Sequence, residues 1–120
     1  MVWDPARILP QDWGSALAFY RRLEARNDDF RPLRQLVEHA AAQRYAPSLA
    51  VATSGTALLV ANDAPDWAVD ALRVDAHFSG AIRFTFPATP PGGRKTLDCD
   101  AAKVVAMFER FLRNAAWVAA

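Results

Sequence analysis

Residues 48–60 read Ser48-Leu49-Ala50-Val51-Ala52-Thr53-Ser54-Gly55-Thr56-Ala57-Leu58-Leu59-Val60. Leu49, Val51 and Thr53 alternate with Ser48, Ala50 and Ala52, and a period of two belongs to a strand rather than a helix. Ser54-Gly55 interrupts the run, which resumes from Thr56 to Val60. A two-residue loop at Ser54-Gly55 predicts a hairpin that sets Val51 opposite Leu58 and Leu49 opposite Val60, with the larger apolar side chains on one face.

Toward the C-terminus, a polar, proline-containing connection from Asn62 to Asp70 carries Trp67. A second alternation follows. Leu72, Val74, Ala76 and Phe78 interleave with Arg73, Asp75 and His77, and Ile82, Phe84 and Phe86 interleave with Arg83 and Thr85. A three-residue connection, Ser79-Gly80-Ala81, keeps every apolar residue on the same face by pairing Phe78 with Ile82 and Ala76 with Phe84. After the Pro/Gly-rich segment 87–94, a short strand over Lys95–Cys99 leads into a last helix. Asp100 suits the N-cap of that helix, and Val104, Val105, Phe108, Phe111, Leu112 and Ala115 are expected to form its stripe. Lys103, Glu109, Arg110 and Arg113 are expected in water, with Glu109 and Arg113 as an i,i+4 pair.

Toward the N-terminus, the period is helical. Trp13, Ala16, Leu17, Tyr20 and Leu23 predict a helix over about Gln11–Arg26, with Pro10 in its opening turn. Asn27-Asp28-Asp29 breaks it, and Leu33, Leu36, Val37, Ala40 and Ala41 predict a second helix over about Phe30–Arg44. The order ααβββββα predicts a single α+β domain over residues 1–120. It is an antiparallel meander of about five strands, covered on one face by an αα-hairpin and a C-terminal helix. The other face is left to solvent, ligand or partner.

Composition narrows the function. Fourteen basic and thirteen acidic residues give a net charge of +1, and no like-charge block exceeds a pair. A nucleic-acid binder needs a concentrated positive field, so none is expected as partner. Nor does the expected outer face carry the aromatics on which RNA bases stack. No apolar stretch approaches the roughly 18 residues of a membrane span. A single cysteine, Cys99, and an N-terminal Met1-Val2-Trp3-Asp4-Pro5 without a secretory pattern point to the cytoplasm. Arginine and alanine dominate, with Lys95 and Lys103 the only lysines, a bias associated with GC-rich bacterial genomes.

The expected outer face gathers Arg73, Asp75, His77, Arg83 and Thr85, with His77 opposite Arg83 and Asp75 opposite Thr85. Chemically, His77 oriented by Asp75 is a candidate general base, and the two arginines suit an anionic small molecule. A solvated sheet face stabilised by cross-strand pairs explains the same residues without any ligand. No metal or cofactor is expected: His39 and His77 share no ligand spacing, and turn or capping roles account for Asp63, Asp66 and Asp70. Gly92-Gly93-Arg94-Lys95-Thr96 lacks the spacing of a phosphate loop. Alternation points Cys99 into the core. Glu24, without an acidic partner nearby, reads as a residue at the margin of the first helix's stripe. The absence of these signatures favours a non-enzymatic protein-interaction or regulatory domain, self-associating as a homodimer or bound to a protein partner. Trp67, Trp3 and Trp117 are its contact candidates, although closing the edges of a small core is the commoner use of tryptophan. The alternative is a small ligand-binding protein or enzyme using the polar patch.

Overall fold

The computed structural model describes residues 8–62, 67, 70–76, 80–87 and 95–118. Strand β1 (Ile8–Gln11) precedes helix α1 (Trp13–Arg26). A 3₁₀ turn at Asp28–Phe30 leads to α2 (Arg31–Ala41), and a second at Ala46–Ser48 leads to β2 (Ala50–Ser54) and β3 (Ala57–Ala61). Then come β4 (Leu72–Ala76), β5 (Ile82–Thr85), β6 (Thr96–Cys99), a 3₁₀ turn at Ala101–Lys103 and α3 (Val104–Asn114). The six strands form one antiparallel sheet in sequence order. The expected architecture holds, with one strand more than its pattern indicated. Strand β1 escapes a search for alternation because it is short and contains Pro10. Proline is tolerated here because β1 is an edge strand, where a missing N–H costs no ladder bond.

The helices cover one face of the sheet. Val51, Leu58, Val60, Leu72, Val74, Ile82 and Phe84 meet Ala16 and Tyr20 of α1, Leu33, Leu36, Val37 and Ala40 of α2, and Val104, Phe108 and Leu112 of α3. Phe84 is fully buried there, as its place in the alternation required. Helix α1 starts where Asp12 Oδ1 accepts the Ser15 N–H at 2.6 Å, a side-chain N-cap. Asn27 ends α1 and caps the following turn by accepting the Asp29 N–H at 2.9 Å. Glu24 is more than a margin residue. It accepts hydrogen bonds from Arg34 at 2.7 Å and Arg31 at 3.2 Å, and so ties α1 to α2. Two more ties fix α1: Tyr20 donates its hydroxyl to the Thr56 carbonyl at 3.0 Å, and Trp13 Nε1 donates to the Ala46 carbonyl at 3.0 Å.

Both hairpin registers differ from expectation by two residues. Val51 pairs with Val60 and Thr53 with Leu58, so the loop is Gly55-Thr56 rather than Ser54-Gly55. Gly55 has φ of +60°, and a II′ hairpin loop puts glycine at the first central position, where this conformation is free of Cβ strain. In the second hairpin Ala76 pairs with Ile82 and Asp75 with Arg83, where the expected three-residue connection had set Ala76 opposite Phe84 and Asp75 opposite Thr85. A slip of two preserves every face, because the side-chain period is itself two.

The far face is not open throughout. Over β1–β3 it carries Ile8, Ala52, Leu59 and Ala61, which form a second buried cluster with Ala71, and Trp67 packs against it. This half of the face is therefore apolar. Only the β4–β6 half is polar.

Candidate functional site

On the polar half, antiparallel pairing lines up Arg73 with Thr85, Asp75 with Arg83, Arg83 with Asp98, and Thr85 with Thr96. The structure therefore brings together four of the five residues proposed for a patch and adds Asp98 and Thr96 from β6. His77 lies outside the described residues. Strand β4 ends at Ala76, and Asp75 takes the place opposite Arg83 that alternation had assigned to His77.

Charge on this ladder is internally matched. Arg73 Nε donates to Asp75 Oδ2 at 3.0 Å. Arg83 grips Asp98 with two parallel bonds, Nε to Oδ1 at 2.8 Å and a terminal nitrogen to Oδ2 at 3.2 Å. The Asp98 hydrogen bonds hold the Arg83 guanidinium even more firmly protonated than usual. With two arginines facing two aspartates, their charges cancel on this ladder and little net positive field is left to draw in an anion.

A second cluster joins elements far apart in sequence. Glu109 Oε1 on α3 accepts from Tyr45 Oη at 2.7 Å and lies 2.6 Å from His39 Nε2 on α2. Gln43 Nε2 donates to the His39 carbonyl at 3.2 Å. Burial would raise the Glu109 carboxyl, but hydrogen bonds from Tyr45 and His39, with the electrostatic pull of His39 and Arg113, hold it below the usual carboxylate range. Burial and the bond to Glu109 push the Tyr45 hydroxyl up, so it stays a proton donor. Glu109 is thus not in water as its helix position suggested. The pattern on α3 alone carries no sign of this, because both partners come from 64 and 70 residues away. Beside the cluster, Arg44, Tyr45, Ser48, Trp117 and Val118 line a shallow cleft of about 360 Å³.

Trp117 has a local task at the end of α3. Its N–H donates to the Leu112 carbonyl at 3.0 Å and the Ala116 N–H to the Arg113 carbonyl at 3.1 Å, the bond pair of a Schellman cap. Its ring meets Phe111 edge-on at 5.0 Å, which supplies the apolar contact that accompanies such caps. Trp67 packs on the second cluster, and Trp3 lies outside the described residues. Cys99 is half-buried against the helix-side core. Burial pushes its thiol up, and Asp100 and Asp98 add to the effect, which disfavours the thiolate a nucleophile needs. Among the described residues no group of three or more His, Cys, Asp or Glu side chains could hold a metal ion. None of the described helices is long and apolar enough to cross a membrane.

The remaining feature is the outer edge of β6, beyond which no strand lies among the described residues. The Phe86 N–H donates to the Lys95 carbonyl at 2.8 Å, so 86 and 95 form a hydrogen-bonded pair of the β5–β6 ladder. Such pairs alternate along an antiparallel ladder, so Leu97 and Cys99 also direct their main-chain groups at β5. Thr96 then directs its N–H and C=O outward. On the helix side of this edge, Leu97 is 45% exposed. It lines a groove of about 290 Å³ with Phe86, Met107 and Phe111, rimmed by Arg110 and Asn114.

No protein-family model, curated protein or solved structure matches this chain.

Proposed function

We propose that this domain is a non-enzymatic protein-interaction module that docks an extended segment of a protein partner along the outer edge of β6. The observation that carries this is an exposed strand edge whose central side chain, Leu97, stands out of the sheet beside an apolar groove. An added strand gains main-chain hydrogen bonds from the edge and a pocket for every second side chain, the usual basis of strand-addition recognition. Exposed edges are otherwise blunted by charge, proline or a covering element, and Leu97 does the reverse. The single cysteine supports a reducing, cytoplasmic setting. Use of Arg73, Asp75, Arg83 and Thr85 on a small anion is the weaker alternative, because Asp75 and Asp98 already hold both arginines.

A photo-crosslinking amino acid at position 97, introduced into the protein in its native cells, tests the docking edge. Discrete adducts are expected, and they should vanish when Thr96→Pro removes an outward N–H without touching the β5 ladder. Adducts indifferent to Thr96→Pro, or none at all, would overturn the proposal.

A further inference from the structure

The β6 edge is complementary to itself. We infer that the strand docked there is β6 of a second copy of this chain, paired antiparallel about a two-fold axis that passes beside Leu97, so that two sheets become one of twelve strands. This deepens the proposal above and rests on β6 being the docking edge.

Four residues, Thr96-Leu97-Asp98-Cys99, set the choice of register. An antiparallel two-fold that keeps both helix layers on one side must place a residue opposite its own copy. With the axis at Leu97, the two leucines face each other on the helix side. They form a non-hydrogen-bonded pair, in which side chains approach most closely. The two apolar grooves then run together into one strip from Phe86, Met107 and Phe111 of one copy to the same residues of the other. On the opposite face Thr96 stands across from Asp98 of the second copy, a hydroxyl donor facing a carboxylate. The same two residues exchange main-chain hydrogen bonds, which uses the outward groups of Thr96. The Asp98 carboxylate keeps both bonds to Arg83 and still has lone pairs to accept the Thr96 hydroxyl of the second copy.

Neighbouring registers fit worse. An axis at Asp98 would oppose two carboxylates, and like charges directly opposite are destabilising. An axis at Thr96 would set the Lys95 ammonium against the exposed Leu97 of the other copy. Leu97 is the one position where the apolar strip and the polar face both match themselves.

Sedimentation velocity on the purified full chain, as wild type, Thr96→Pro and Leu97→Asp, tests the assembly. The wild type should sediment as a dimer, and each variant should weaken dimerisation about tenfold or more, the scale expected for lost main-chain bonds or a buried charge. Thermal melts confirm that each variant is folded, and Leu97→Asp serves if Thr96→Pro is not. Mild oxidation tests the register. In a Cys99→Ser background, Leu97→Cys should form a covalent dimer, since facing residues of such a pair lie about 4.5 Å apart at Cα and within disulfide reach. Thr96→Cys should not. A wild type that stays monomeric at several hundred micromolar overturns the second-copy assignment. If position 97 still crosslinks to another protein in cells, the docking edge survives; if it does not, both fall. A dimer that resists both edge variants, or that crosslinks through position 96 instead, also overturns the inference.

Discussion

Replacing Glu109 with glutamine would test whether α3 is clasped to the rest of the domain by one carboxylate oxygen. The side chain keeps its shape, but the two bonds at Oε1, from Tyr45 at 2.7 Å and His39 at 2.6 Å, lose their charge assistance. A hydrogen bond to a charged group contributes about 1.5–3 kcal/mol and a neutral one about 0.5–1.5 kcal/mol, so the pair loses about 2 kcal/mol before screening. His39 and Glu109 are 32% and 22% exposed, and water softens such pairs. The expected loss is therefore about 1–2 kcal/mol. With a slope of about 2 kcal/mol per molar urea, the midpoint at pH 7 should fall by roughly 0.5–1 M in a circular-dichroism titration. Tyr45→Phe should cost less in the Glu109→Gln background than alone, by at least about 0.5 kcal/mol, because the two groups share a bond. A loss below about 0.5 kcal/mol, or strict additivity, would refute the clasp. Its pH sign also follows. The folded Glu109 carboxyl titrates below its usual value of 4.5, so its contribution is complete above that value and is lost as pH falls through the folded pKa. Wild type should therefore lose stability faster than Glu109→Gln below that value.

Phe84→Ala, at the centre of the helix-side core, should destabilise the protein by about 3–5 kcal/mol in the same titration. Arg83→Ala should leave the urea midpoint almost unchanged, since its pair with Asp98 is exposed at 41% and 47%; a clear fall would mean that the polar ladder is structural. Ala116 has φ of +57° at the position where a Schellman cap favours glycine, so Ala116→Gly should raise stability by up to about 1 kcal/mol, visible as a higher melting temperature.

Sequence pattern by itself determined the three helices, five of the six strands, and the sheet face that the strand residues take. A period of two assigns Val51, Leu58, Val74 and Phe84 to one side whether or not the pairing is known, so a two-residue error in both registers moved no side chain across the sheet. It could not set the register, because the loop is chosen by the backbone that Gly55 adopts, at φ of +60°. Nor could it find β1, four residues whose strand character comes from pairing with β2 across 42 residues of chain, as the 2.7 Å bond from Gln11 to Thr53 shows. Part of the candidate site was legible: Arg73, Asp75, Arg83 and Thr85 share a face by alternation alone. Their partners were not, since Asp98 reaches Arg83 only when β6 lies beside β5, and Glu109 meets His39 only when α3 crosses α2. Local periodicity reports the direction in which a side chain leaves its own backbone. Which group waits there is decided by packing between segments far apart in the chain, and that is why the matched charges, the second apolar cluster and the exposed edge of β6 emerged only in three dimensions.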